Sequence, residues 1–488
     1  RHSTHVDGFV LGGRSVGPWL TAFAYGTSYF SAVVFVGYAG QFGWKYGIAA
    51  TWAGIGNALI GSFLAWAILG RRTRIMTQHL NSATMPEFFG KRFDSKGLKI
   101  GASIIVFIFL IPYTASLYNG LSRLFAMAFP IDGLTEQQGY TLCVIIMAVL
   151  TGVYVIAGGY MATAINDFIQ GIIMLVGIVA VILAVLNQNG GLMGSVEALA
   201  TGQNGGWEYA SFFGPNPIFL IFVVILTSLG TWGLPQMVGK FYAISNEAAI
   251  RKGTLISTVF AIIVAGGCYF LGGFGRLFTD KLTFLPDGSI EGGFDAIIPI
   301  MLSNLPDILI AIVIVLVLSA SMSTLSSLVI SSASSITVDF VKGFIKKDLK
   351  DKHQMVLTRI LCVVFILISV ILAVSPGALI TNLMAISWGA LSGAFLAPFL
   401  YGLYWKGVTK AAVWASFACG VGITVANMFF KFIESPINAG AIAMVAGLIV
   451  VPVVSIFTPK MDAKKVDDIF ACYEETVTIK KTHSLEER

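Results

Sequence analysis

Charge is scarce in this sequence. Only 11% of its 488 residues are Asp, Glu, Lys or Arg, where an ordinary soluble domain carries about 25%. Hydrophobic residues make up 56% and mean hydropathy is +0.83, so a water-facing surface over the whole chain is excluded. Histidine is scarcer still: His2, His5, His79, His353 and His483 all fall outside the long apolar runs. That excludes a histidine-ligated zinc site or a histidine base within those runs. The five cysteines, Cys143, Cys268, Cys362, Cys419 and Cys472, form neither a metal-type nor a disulfide-type pattern. A phosphate-binding loop is lacking, because Gly12-Gly13-Arg14-Ser15 has the wrong spacing, and ATP-driven pumping by this chain alone is not expected. The opening segment, Arg1 to Gly17, is polar and does not read as a signal peptide.

What the sequence has instead is a succession of apolar stretches, each of the roughly 20 residues that cross a hydrocarbon core of about 30 Å. Twelve are expected, at 18–40, 47–69, 99–129, 138–157, 162–188, 216–239, 254–278, 305–337, 354–375, 379–404, 408–431 and 438–458. Only helices and closed barrels satisfy their backbone in lipid, and these runs are too long and too continuously apolar for barrel strands of about 10 residues. An all-α integral membrane bundle follows.

Basic loops stay on the cytoplasmic side. With the joint at 70–99 inside, only Lys45, Arg123, Arg276, Lys281 and Lys431 of the 31 basic residues lie outside, and Arg71, Arg72, Arg74, Lys346, Lys347 and Lys465 are among those inside. Both chain ends are then cytoplasmic. The same loops account for the net charge of +6, so no nucleic-acid partner is implied.

The Gly-rich outer joint at 189–215 separates five spans (18–188) from five more (216–404), and two further spans (405–458) precede a cytoplasmic tail (459–488). An odd number of spans per half gives the second half the opposite orientation, the arithmetic of an inverted-topology repeat, in which paired broken helices bind cargo near the midplane. Equivalent breaks are expected in the first span, at Gly26-Thr27-Ser28-Tyr29-Phe30-Ser31, and in the sixth, at Thr227-Ser228-Leu229-Gly230-Thr231-Trp232-Gly233-Leu234-Pro235. Pro235 removes a backbone donor and the glycines tolerate irregular dihedrals. The alternative is that these small residues are simply a helix-packing seam.

One carboxylate stands out. Asp167, beside Asn166 near the start of the fifth span, needs a partner if it lies within the membrane, unless it caps the helix end in water. The eighth span offers six hydroxyls in Ser319-Ala320-Ser321-Met322-Ser323-Thr324-Leu325-Ser326-Ser327, with Ser323, Ser326 and Ser327 on one face. Hydroxyl oxygens and one carboxylate suit a small hard cation released in each cycle, and sodium fits. A Ser/Thr packing seam is the other reading.

These segments, with Leu11-Gly12-Gly13-Arg14-Ser15-Val16-Gly17-Pro18, resemble the sodium:solute symporter family, most closely its bacterial sodium/proline branch. The resemblance implies a LeuT-type 5+5 inverted repeat with extra C-terminal transmembrane helices. It also implies an additional N-terminal span in relatives, residues 1–17 being similar to the loop that follows it. For sodium it implies one site from main-chain oxygens of Thr27, Phe30 and Ala320 with the hydroxyls of Ser323 and Thr324. A second, found in some members, would use Asp167 with Ser323, Ser326 and Ser327, giving one or two ions.

For cargo the resemblance points to Tyr113 in Ile111-Pro112-Tyr113 and to Gly233-Leu234-Pro235, and the pocket is expected from Ser28, Ser31, Tyr113, Thr227, Thr231, Trp232 and Pro235. Two sixth-span aromatics of the proline branch fall on Thr227 and Thr231, and an acidic residue of its first-span break falls on Tyr29. The expected function is sodium symport of a small polar solute, proline or a related amino acid, by a non-enzymatic monomer in the bacterial cytoplasmic membrane. Sialic acid, a sugar, a monocarboxylate or pantothenate is the alternative cargo, and a sodium-selective channel or sensor the alternative class.

Overall fold

A computed structural model of the chain describes residues 16–129, 133–203, 205–345, 350–375 and 379–474. Most of the segments 1–17 and Leu11–Pro18, the loop residues Lys346 and Lys347, and the tail beyond 474 lie outside the described residues. What is described is helical, with two isolated bridges, Val16 to Ile244 and Phe284 to Ile290.

The first expected span is two pieces. α1 (Pro18–Thr27) starts with proline in its first turn, where a missing N–H costs nothing, and ends at the expected break. Turn and extended residues occupy Ser28–Ser31, after which a π-turn (Val33–Tyr38) leads into α2 (Ala39–Tyr46). The span therefore reaches Tyr46 rather than residue 40. Gly47, at φ 62°, turns the chain into a mixed α and π run from Thr51 to His79, ten residues past the expected limit.

α3 (Lys96–Ala128) begins on a Ser95 cap. α4 (Glu136–Asn187), opened by a Thr135/Gln138 capping box, corrects the expectation of a joint between the fourth and fifth spans. Helical backbone continues for 52 residues, more than twice what one crossing needs, and covers both spans. Two glycines, Gly158 and Gly159, with neither proline nor charge beside them, are too weak a signal to end a helix in an apolar stretch.

The sixth span is broken as expected. α5 (Pro217–Val224) passes through a π-turn and a 3-10 turn (Gly230–Gly233), and α6 (Pro235–Tyr242) leaves at an angle of 46°. α7 (Glu247–Gly272), α8 (Asp307–Ser334, continued as a π-helix to Ile345), α9 (Asp351–Ala373), α10 (Ile380–Tyr404), α11 (Lys410–Phe430) and α12 (Pro436–Phe457) match the remaining spans. Among the described residues nine helices are long and apolar enough to cross a membrane, besides the bent pair.

The two halves are interleaved rather than side by side. α7 packs on α1 and on the Thr51–His79 run, α8 packs on α3 and α4, and α10 packs on α3. α11 and α12 pack against α10 and each other. The broken spans thus sit at the centre of the bundle.

Candidate ion and solute site

Unwinding a helix in an apolar interior frees backbone groups that must find partners, and here neighbouring helices supply them. Ala32 N–H, just past the first break, donates to Ser321 Oγ of α8 at 2.9 Å. Ser392 Oγ of α10 donates to the freed Gly230 carbonyl in the sixth break. Gly233 lets that break lie directly on α10: an added Cβ would stand 2.7 Å from Ser392 Cα and 2.9 Å from Leu396 N.

The broken spans are tied to each other at three levels. Val16 N–H donates to Ala243 O (3.2 Å) and Ser245 N–H to Val16 O (3.1 Å), joining the start of the first span to the end of the sixth. Lys240 of α6 donates to Ala24 O and Ser28 Oγ of α1. Tyr29 OH donates to Thr231 Oγ1 across the two breaks at 3.1 Å.

Asp167 lies inside α4 and is buried, so the helix-cap reading falls away. Phe23 of α1 packs edge-on against neighbouring Phe168, with ring centroids 4.9 Å apart, and α8 runs alongside. Ser323 is the hydroxyl that faces the Asp167 carboxyl, without the geometry of a formed hydrogen bond, and Ser323 Oγ and Asp167 Oδ1 both lack another partner among the described residues. Two neighbouring buried polar atoms without a formed bond call for a partner. The side chain of Asn166 lies outside the described residues.

Thr324 Oγ1 donates to Ala320 O at 3.1 Å, which leaves the hydroxyl oxygen itself free to accept. Thr27 and Phe30 are fully buried at the break, where Phe30 N–H donates to Thr27 O at 3.1 Å. Ser326 is turned to its own helix, donating to Ser323 O at 2.8 Å, and Ser327 is half-buried.

Two expectations are corrected. Asp167 is not a lone buried acid, since Asp295 and Asp339 are equally buried. Asp339 has its partners in Thr84 (2.6 Å) and Lys99 (3.4 Å), and Asp295 accepts from Ile380 N–H (3.2 Å) with Arg123 at 3.9 Å. Lys240, counted among the cytoplasmic charges, is buried beneath the first break, where it donates to Ala24 O and Ser28 Oγ. It stands one residue beyond the expected end of the sixth span, and the bend at Leu234 turns it inward.

The expected cargo residues divide. Tyr113 of α3 meets the indole of Trp388 of α10, with centroids 5.9 Å apart, and Trp388 also faces Gly230. Ser31 Oγ, Trp388 Nε1, Tyr38 OH and Tyr269 OH are buried polar atoms without a hydrogen-bond partner among the described residues. The others are engaged: Ser28 by Ala24 O and Lys240, Thr227 by Val223 O (2.9 Å), Thr231 by Ser228 O (2.9 Å) and Tyr29, and Trp232 by Ile60 O (3.0 Å). Pro235 starts α6. Trp388, Tyr38, Tyr269 and Lys240 escaped the sequence reading, and only an aromatic or a charge inside an apolar run hinted at them. A cavity of about 850 Å³ opens between Asn119, Arg123, Tyr140, Glu291 and Asp295.

Paired broken helices crossing at the centre of an interleaved bundle define a helical membrane transporter. The family model of the sodium:solute symporter family matches residues 9–420, and the chain belongs to that family. The sodium/proline symporter of Staphylococcus aureus is 28% identical over 472 residues, spanning 94% of this chain and 88% of the relative. Among solved structures, a Na+-coupled sialic acid symporter in a substrate-bound outward-open state superposes with a TM-score of 0.73 at 15% identity, over 94% of this chain and 93% of that one. Mhp1, a nucleobase-cation-symport-1 family transporter in a closed conformation with bromovinylhydantoin bound, gives 0.56 at 16% identity, over 94% and 97%. The fold is thus LeuT-type, and the chain is a multi-pass sodium-coupled symporter of a small molecule, a transporter and not an enzyme.

Proposed function

We propose that this symporter imports proline or a related small amino acid across the bacterial cytoplasmic membrane as a monomer, and that sodium binds where the first break meets α8 and Asp167. The observation that carries the reading is the open pair of Asp167 Oδ1 and Ser323 Oγ, beside a break anchored to α8 through Ser321. The main-chain oxygens of Thr27, Phe30 and Ala320 with Ser323 and Thr324 form one oxygen set, and Asp167 with Ser323, Ser326 and Ser327 a second. Ser323 belongs to both, so one or two ions are held according to whether it is shared.

Cargo binds between Tyr113, Trp388 and the two breaks, lined on the remaining sides by Ser31 and the sixth-span residues Thr227, Thr231, Trp232 and Pro235. A zwitterion places its carboxylate toward helix N-termini at the breaks, where free N–H groups and the helix dipole favour negative charge. The relative in Staphylococcus aureus, described as a sodium/proline symporter, supports this choice of cargo. The test is thermal-shift screening of the purified protein with sodium and a panel of amino acids, sugars, carboxylates and vitamins. Proline should raise the melting temperature only with sodium present. A sodium-dependent rise with a sugar, monocarboxylate or sialic acid, and none with proline, overturns the choice of cargo.

A further inference from the structure

Lys240 has no place in either sodium ligand set, yet it stands at their edge. Its side chain is 2% exposed, and its ammonium donates to Ala24 O and Ser28 Oγ. These groups lie at the end of α1, where the helix stops at Thr27 and its carbonyls carry the negative end of the helix dipole; Ala24 O there accepts from the Thr27 and Ser28 hydroxyls rather than from a backbone N–H of the next turn. The same end of α1 meets α4 beside Asp167, where Phe23, next to Ala24, packs on Phe168 with ring centroids 4.9 Å apart. A tether between α1 and α6 does not by itself call for a charge. Backbone bonds through Val16 and the Tyr29–Thr231 bond already join the two spans, and a buried ammonium is costly to desolvate unless its charge is used.

We propose that the Lys240 ammonium is a resident cation that balances Asp167 when sodium is absent and sets how weakly sodium is held: a positioning residue for the coupling ion. The inference rests on the sodium site proposed above. The ammonium takes a main-chain carbonyl and a hydroxyl from the end of α1, Ala24 O and Ser28 Oγ, next to Thr27 of the candidate ion position, so the two cations lie close enough to repel each other. Partly buried unit charges a few ångströms apart interact strongly enough to change an affinity by about tenfold or more. Removing the charge therefore tightens sodium binding and slows its release.

The test titrates purified wild-type, K240M, K240Q and K240R protein with sodium at pH 7, choline keeping the ionic strength constant, and reads tryptophan fluorescence. K240M and K240Q should bind sodium about tenfold more tightly, and K240R within about twofold of wild type. In proteoliposomes K240M should lower both the sodium concentration for half-maximal uptake and the maximal rate. Unchanged or weaker sodium binding in K240M and K240Q overturns the proposal and leaves Lys240 a structural tether. Should K240M and K240Q fail to fold, the D167N/K240Q pair, which removes both charges together, is titrated beside D167N alone. Tighter sodium binding in the pair than in D167N supports the proposal, and equal binding overturns it. If wild-type protein shows no sodium response, the sodium site itself fails, and that outcome is separate from a null result confined to the Lys240 variants.

Discussion

At the scale of single residues, two serines of α8 two positions apart have different work. Ser321 accepts a hydrogen bond from Ala32 N–H, so Ser321→Ala leaves a buried backbone donor unpaired and should cost about 1–3 kcal/mol, read as a lower melting temperature. Ser323 lacks a formed bond, so Ser323→Ala should keep its stability within about 0.5 kcal/mol and instead weaken sodium activation of uptake. The reverse pattern would exchange their roles. Asp167→Asn should likewise leave the fold intact and raise the sodium concentration for half-maximal uptake about tenfold, the loss expected when an ion gives up a charged ligand. Asp167 and Ser323 were legible because a charge and a cluster of alcohols are conspicuous in an apolar background. Lys240 was not, because at the edge of a span a lysine reads as a loop charge, and only the bend at Leu234 brings it inside. Trp388 and Tyr38 carry the same limit: an aromatic in a span looks alike whether it packs or lines a pocket.

At the scale of helices, the breaks were legible and their supports were not. Pro235 and the glycines of the sixth span mark a place where helical hydrogen bonds cannot continue, and the structure bends there by 46°. Nothing in those residues announces that Ser392 answers the Gly230 carbonyl or that α10 lies against Gly233. Gly233→Ala should therefore force α10 away from the break, costing about 1–3 kcal/mol as overpacking does and reducing uptake. A melting temperature and uptake rate equal to wild type would show that the close approach is dispensable. The joint expected after the fourth span failed for the complementary reason. Two glycines without proline or charge do not end a helix when the apolar surroundings leave the backbone no other partner.

At the scale of the whole molecule, the three ties between the broken spans make their inner halves a single body. A disulfide engineered between positions 16 and 245, where the backbones already exchange a hydrogen bond, should leave sodium-driven uptake near the wild-type rate. Loss of uptake on oxidation, restored by reductant, would show that the two halves must separate. The order of the long apolar helices followed from hydropathy, because a bilayer admits few solutions, except that one continuous helix covers the expected fourth and fifth spans. Interleaving did not, since apolar faces do not reveal which apolar face they meet. Coupling requires that sodium bind the outward form better than the inward one, and the ion site joins α1, which is tied to α6, with α4 and α8. Movement between those groups changes the number of oxygens the ion can reach. Uptake of labelled proline into proteoliposomes, with an imposed sodium gradient and with an imposed proton gradient, in wild-type and Asp167→Asn protein, tests this most directly. Accumulation should follow the sodium gradient alone, and the Asp167→Asn protein should need about tenfold more sodium. Equal accumulation with protons, or identical sodium dependence in the two proteins, would contradict the account.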